Sequence, residues 1–176
     1  DVLLDIHDNG GLQLDTFDGA LTWLAILMGF FFLLRCSEYL LKSSQPDEKK
    51  CMRRRHITLA AGGSNNSVED ADCDEVITRQ EFHKTDFIGQ GTDNNIKKCR
   101  RDPRLCIPSW FNKLRSMSPN WFSASNQDSY LFTLSTGKVI PKSTSTTLLK
   151  TSILRKTGMS AGNVDTHSLR AGGCSA

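Results

Sequence analysis

The chain has 176 residues, of which 38% are hydrophobic and 23% are charged, and its formal net charge is +3. This length suits one domain with its own hydrophobic core, so we predict a single partial domain over residues 1–176. The composition excludes an intrinsically disordered chain and a wholly apolar one. The net charge permits nucleic-acid binding but does not establish it, because binding depends on where the positive charges lie on the surface.

The amino-terminal segment and the cysteines indicate the cell compartment. Residues 1–19 contain five aspartates where a secretory leader would be basic, so we predict no signal peptide. Six cysteines are scattered without a close pair, which favours reduced thiols in an intracellular protein. A zinc site from Cys51, His56, Cys73 and His83 is an alternative, but their spacing fits none of the short ligand pairs that such sites use.

Residues 20–34 (ALTWLAILMGFFFLL) form an apolar run that ends directly on Arg35. A membrane span needs about twenty apolar residues, and shorter runs are more often buried helices. We therefore favour a helix that is buried on all sides in a globular core, with a membrane anchor as the alternative. We expect this helix to continue through residues 36–42 and to end before Pro46.

Three short strands are predicted in the middle of the chain. Residues 57–63 are rich in β-branched and small residues and end on two glycines, residues 76–82 alternate in polarity, and a third strand is expected around residues 95–99. The polar, acidic stretch within residues 60–75 predicts a solvated loop, which we interpret as a local insertion. The turn-rich stretch 83–95 would reverse the chain between the second and third strands.

Helices are predicted in the last part of the chain. Residues 107–117 have Pro108 at a helix start and apolar residues at helical spacing. Residues 143–157 form a second helix, with Ser143 or Thr144 as N-cap and Gly158 as its stop. A final helix would begin near residues 165–166. The predicted fold class is α+β, mainly α, with a small antiparallel sheet or hairpin.

Basic residues form two clusters, at 49–55 and 97–104. Either cluster could follow a phosphate backbone, and DNA binding would then fall steeply with salt. For the first cluster, a solvated loop is an equal alternative. We favour the second cluster as the DNA contact, and its basic residues are Lys97, Lys98, Arg100, Arg101 and Arg104.

Three motifs contain cationic and proton-donating groups of the kind needed to transfer a phosphodiester without a metal. Such chemistry needs guanidinium groups on the phosphate oxygens, a proton donor for the leaving oxygen and a side-chain nucleophile. LLRCSEYL at 33–40 places Glu38 three residues after Arg35, where it can orient the arginine. HKTD at 83–86 places Lys84 between two strands. THSLRAGG at 166–173 places His167 and Arg170 on one helical turn. Each motif also has a purely structural alternative. Arg35 and Glu38 could form an exposed ion pair, Lys84 could be a solvated lysine, and His167 could be a core histidine.

Taken together and in this order, the three motifs resemble the tyrosine recombinase (phage integrase) family, most closely the recombinases of eukaryotic Crypton-type mobile elements. The resemblance extends from about residue 21 to residue 176, with LFTL at 131–134 and GQG at 89–91 as supporting strings. It implies the catalytic-domain fold of that family, with the lysine on the small sheet or hairpin.

The resemblance also implies roles for individual residues. Arg35, His167 and Arg170 match the residues that contact the scissile phosphate, Glu38 matches the acidic residue that supports Arg35, and Lys84 matches the general acid toward the 5′ oxygen. The family cleaves and rejoins DNA through a 3′-phosphotyrosyl intermediate, which conserves the bond energy and implies neither metal nor nucleotide cofactor. Its nucleophilic tyrosine is expected beyond Gly173, because Tyr39 and Tyr130 lie on other segments. We therefore expect no nucleophile, and no DNA cleavage, from these residues alone.

The resemblance further implies double-stranded DNA as the partner, a homo-oligomer on DNA, no membrane, and an intracellular location that would be nuclear in a eukaryote. The alternative function is a catalytically dead DNA-binding relic of a mobile element, which shares the fold. A protein anchored in a membrane by residues 20–34 is the second alternative.

Overall fold

A computed structural model describes residues 2–41, 51–61, 72–81, 90–160, 162, 164, 165 and 168. In this part the helices are α1 (Val2–Asn9), α2 (Phe17–Phe31), α3 (Cys36–Tyr39), α4 (Ile107–Met117) and α5 (Lys142–Thr157). The strands are β1 (Ile57–Ala60), β2 (Glu75–Gln80) and β3 (Thr92–Lys97). The predicted α+β class is confirmed. The chain divides into two compact units, one formed by residues 1–46 and 132–176 and the other by residues 47–131.

Helix α2 is the central element of the first unit. Thr16 caps it by accepting a hydrogen bond from the Gly19 backbone N–H at 3.2 Å. Ten consecutive residues, 20–29, are buried, which confirms the prediction of a helix buried on all sides. No helix among the described residues is long and apolar enough to cross a membrane.

The predicted continuation of this helix through residue 42 is wrong. Helix α2 ends at Phe31, and Leu33 adopts a left-handed backbone conformation with φ 55°. A non-glycine residue rarely adopts a positive φ, and one such residue is enough to redirect a helix. The chain starts again as the four-residue helix α3, with Arg35 extended at its N-cap position.

Helix α5 agrees with its predicted range, but its N-cap does not. The cap residue is Pro141 rather than Ser143 or Thr144. The Lys142 backbone N–H donates to the Leu41 carbonyl oxygen at 2.8 Å. This N–H at the start of the helix therefore has a partner without a capping side chain. At the other end Gly158 has φ 68°, the left-handed conformation that ends many helices, as predicted.

Helix α1 was missed, because residues 1–19 were interpreted only by their charge. It packs against α5, where the Arg155 guanidinium donates to the Asp5 carboxylate through Nε at 3.0 Å and lies 2.9 Å away through Nη2. Asp5 is 5% exposed, so this ion pair is largely shielded from solvent on its acidic side.

The second unit contains the three predicted strands, each displaced by a few residues at its ends. They form an antiparallel sheet in the order β1-β2-β3, with Ala60 opposite Glu75 and Val76 opposite Ile96. Val76 and Thr78 of the central strand are fully buried, whereas β3 is an edge strand without a buried residue. The predicted insertion lies between β1 and β2, and its residues 62–71 are outside the described part.

Helix α4 supplies the other half of the second unit's core. It begins at Ile107 with Pro108 in its first turn, as predicted. Phe111 is fully buried and stacks on Trp121 with ring centroids 6.1 Å apart. This aromatic packing stabilises the unit from within and leaves these rings unavailable for stacking on nucleic-acid bases.

Candidate site around Arg35 and the basic segment

Arg35 is held by Glu38 in the first unit. The Arg35 Nη1 group lies 3.1 Å from Glu38 Oε1, and the Arg35 backbone N–H donates to Glu38 Oε2 at 2.6 Å. The Glu38 side chain is only 11% exposed, whereas the arginine side chain is 35% exposed. One carboxylate therefore fixes both the backbone and the guanidinium of Arg35 while leaving part of the guanidinium open to solvent.

The predicted pairing of these two residues is confirmed, but its geometric basis differs from the one expected. Arg35 does not lie on the end of the long helix; it is the N-cap residue of α3. Glu38 at the N3 position accepts the bond that a capping box would use. The pair keeps its spacing of three residues, but Glu38 also accepts the Arg35 backbone N–H and so caps α3.

A second connection joins α3 to the start of α5. Leu41, just after α3, forms a parallel bridge with Pro141, and its backbone N–H donates to the Ile140 carbonyl oxygen at 2.9 Å. The Lys142 ammonium then donates to Asp165 Oδ2 at 2.5 Å. The hydrogen bond with Asp165 raises the pKa of Lys142, which favours its charged form at this pair.

These contacts bring three separated parts of the chain together. Leu41 lies six residues after Arg35, and Asp165 is two residues before His167 in the sequence. Lys142 and Asp165 were not singled out from the sequence, because nothing in an isolated lysine after a proline predicts a partner 23 residues away. His167 and Arg170 lie outside the described residues, and so does Lys84.

A surface pocket of about 660 Å³ opens at this junction. Its walls come from Leu41, the first turns of α5 and the chain after α5, and they include two ammonium groups and three hydroxyl groups. The lining residues are Leu41, Pro141, Lys142, Ser143, Thr146, Thr147, Lys150, Gly162, Val164 and Asp165. The Asp165 carboxylate in the same wall pairs with Lys142, and apolar groups share the lining with the polar ones.

The favoured basic cluster lies in the second unit, between β3 and α4. Four of its five cations are exposed, namely Lys97, Lys98, Arg100 and Arg101. The fifth, Arg104, is half-buried and forms a forked pair with Asp102, with Nη2 to Oδ2 at 2.9 Å and Nε to Oδ1 at 3.1 Å. Arg104 therefore serves the local fold, and the exposed charge is concentrated in residues 97–101.

The other basic cluster has a structural role where it is described. The Arg53 guanidinium lies 4.7 Å from the centre of the Tyr130 ring. Arg54 is 7% exposed and donates to the Trp121 carbonyl oxygen at 2.9 Å, and burial lowers the pKa of its guanidinium. Arg55 pairs with Asp128. The expected alternative of a solvated loop is wrong for Arg53 and Arg54, whose guanidinium groups contact an aromatic ring and a carbonyl oxygen, whereas Arg55 is exposed to solvent.

Both tyrosines occupy structural positions. Tyr39 is 1% exposed and packs edge-on against Phe132 with ring centroids 5.7 Å apart. Burial raises the pKa of its phenol, so the phenolate nucleophile is disfavoured there. Tyr130 supports Arg53. Within the described residues, no group of three or more His, Cys, Asp or Glu side chains could hold a metal ion.

Comparison with family models, with curated proteins and with solved structures gives no match for this chain. The functional assignment therefore depends on the residues and their geometry alone.

Proposed function

We propose that this chain is the phosphate-binding part of a DNA strand-exchange enzyme of the tyrosine recombinase type. The observation that supports it best is the junction in the first unit. There Arg35 is partly exposed and fixed by a buried carboxylate, and the chain after α3 is joined through Leu41 to the start of α5, where Lys142 pairs with Asp165. Asp165 is two residues before the His-x-x-Arg motif, and two residues of chain span at most about 7 Å.

Arg35 is proposed to bind the nonbridging oxygens of a DNA phosphate. A guanidinium keeps its charge and offers two parallel N–H groups, which match two phosphate oxygens as negative charge builds up on them. Glu38 holds the Nη1 side, and the 35% exposed remainder faces solvent. Fixing the arginine before DNA arrives reduces the entropy that binding would otherwise lose.

Lys142 is proposed as a positioning residue for the motif that follows Asp165. Its ammonium holds the Asp165 carboxylate, and the Thr146 hydroxyl lies 3.3 Å from the other carboxylate oxygen. Two bonds from one helix thus fix the chain just before His167. In this proposal His167 and Arg170 complete the phosphate site, Lys84 gives a proton to the 5′ oxygen, and a tyrosine elsewhere in the whole protein forms the 3′-phosphotyrosyl bond.

The exposed segment 97–101 is proposed to contact the DNA backbone. Contacts of this kind place a protein on DNA without reading its sequence. They also release condensed counterions, so they should dominate the salt dependence of binding.

Binding of a fluorescein-labelled 30-base-pair duplex at low salt, followed by anisotropy, tests the proposal. Arg35→Ala should weaken binding by roughly tenfold, because one charge-assisted contact is lost. Arg35→Lys should fall in between, since it keeps the charge without the fork. Lys156→Ala is the matched control: it removes one exposed charge on the last turn of α5 and should change binding by less than about twofold.

Circular dichroism spectra must match among these variants for the comparison to hold. If Arg35→Ala and Lys156→Ala bind DNA equally well, the phosphate site at Arg35 does not exist. If all variants and the parent chain fail to bind duplex DNA at low salt, the whole proposal is wrong.

A further inference from the structure

Two cysteines of the second unit lie in contact across the start of α4. The Cys99 backbone N–H donates to the Cys106 sulfur at 3.2 Å. Because an N–Cα bond is about 1.5 Å long, the Cys106 sulfur is at most about 4.7 Å from the Cys99 α carbon. The two residues bound an eight-residue segment (CRRDPRLC) that includes the exposed pair Arg100 and Arg101.

The two thiols differ in access. Cys99 is exposed, whereas Cys106 is 1% exposed and its sulfur also accepts a hydrogen bond from the Ser109 hydroxyl at 3.1 Å. An oxidant can therefore reach Cys99 first, and the Cys106 sulfur is already held next to it. Because Cys99 is exposed, its side chain has room to turn its sulfur toward that of Cys106.

We propose that Cys99 and Cys106 form a reversible disulfide when the protein meets hydrogen peroxide. The Cys99 thiolate attacks one peroxide oxygen and the O–O bond breaks, giving a sulfenic acid and hydroxide. The Cys106 thiolate then attacks the Cys99 sulfur, the S–O bond breaks and hydroxide leaves. Two thiols and one peroxide thus give one disulfide and two waters, and a dithiol reductant reverses the reaction.

The segment between the sulfurs suits such a bond. Its backbone already turns through a 3₁₀ helix at Pro103–Leu105, with the Cys106 N–H donating to the Pro103 carbonyl oxygen at 3.3 Å. A disulfide typically places its α carbons about 4.4–6.8 Å apart, which is compatible with a sulfur bonded to its partner's amide. The bond would close a ring around Arg100 and Arg101 and so restrict the exposed basic segment.

Tryptic digestion without reductant, followed by mass spectrometry, tests this inference. After treatment with peroxide and blocking of free thiols, the peptide Cys99–Arg100 should be found linked to Leu105–Lys113, with the mass of two hydrogens lost. Dithiothreitol should release both peptides. Cys99→Ser, at an exposed position, should fold normally and give no linked peptide.

Other products would overturn the inference. Cys73 is a competitor, because its thiol donates to the Pro108 carbonyl oxygen at 3.5 Å, two residues after Cys106 in the chain. A Cys73–Cys106 link, or Cys99 converted to sulfinic acid with Cys106 still a free thiol, would show that the proposed pair does not form. The readout does not involve DNA, so its failure is distinct from a failure of the proposed DNA binding.

Discussion

Replacing Glu38 should reveal which of its two hydrogen bonds holds Arg35 in place. Glu38→Ala removes the bond to the Arg35 backbone N–H at 2.6 Å and the bond to the Arg35 guanidinium at 3.1 Å. The first is a charge-assisted cap from a largely buried carboxylate, worth about 1.5–2 kcal/mol. The second joins a guanidinium that is one-third exposed, so solvent screening reduces it to about 0.5 kcal/mol.

A double-mutant cycle with Arg35→Ala separates the two terms. Glu38→Ala should lower the free energy of unfolding by about 2 kcal/mol in the parent and by nearly as much beside Ala at position 35, since that change keeps the backbone N–H. The coupling energy should stay below about 1 kcal/mol. Glu38→Gln, whose amide oxygen can still accept from the backbone, serves as the matched control and should cost less than Glu38→Ala.

Urea unfolding followed by far-ultraviolet circular dichroism gives these free energies. Hydrogen exchange of the amides at residues 36–41 reports the same loss locally, because the α3 cap opens when the carboxylate is removed. If the cost of Glu38→Ala disappears once Arg35 is absent, the ion pair and not the cap fixes this segment, and the reasoning is refuted.

Three further predictions concern other parts of the chain. Hydrogen bonds from Ser152 above all, and from Asn9 and Arg155, hold the pKa of Asp5 at about 2 instead of 3.8. The ionised carboxylate therefore stabilises the folded chain fully above about pH 4, and this stabilisation is lost as the pH falls from about 4 to 2. Asp5→Asn should flatten that part of an acid-unfolding curve, and an unchanged curve would contradict the assignment. Changing the four exposed cations of segment 97–101 to glutamine should make duplex-DNA binding less sensitive to salt. The slope of the logarithm of the binding constant against the logarithm of salt concentration should fall in magnitude by up to about 3.6, and an unchanged slope would exclude that segment from the proposed DNA interface. Phe111→Ala should lower the free energy of unfolding, measured with heat or urea, by about 3–5 kcal/mol, because it leaves a cavity at the fully buried site beside Trp121. A loss near 1 kcal/mol would mean that this ring does not organise the core.

Local patterns in the sequence predicted most of the elements. The apolar run at 20–34 predicted α2, and Pro108 and Gly158 marked a helix start and a helix end. The first strand was predicted from β-branched residues, the second from alternating polarity and the third from the turn-rich stretch before it. The end of α2 could not be predicted, because it depends on Leu33 at φ 55°. Bulky side chains rarely adopt a positive φ, and the surrounding packing has to impose it.

The candidate site was predictable only where it is local. Arg35 and Glu38 are three residues apart, so their pairing followed from spacing alone. The bond between Lys142 and Asp165 depends on how two segments meet, and no periodicity encodes it. In the same way, the sequence does not predict the burial of Arg54, because its guanidinium binds the carbonyl oxygen of Trp121, which is 67 residues away in the chain.

The polar edge strand β3 has a consequence for how copies of this chain meet. An edge strand offers unpaired backbone groups to a strand of another molecule, and natural proteins discourage this with charged and polar side chains. Residues 92–97 (TDNNIK) contain a single apolar side chain, and Asp93 and Lys97 are both exposed. Copies of this chain at high concentration should therefore resist joining through this edge of the sheet.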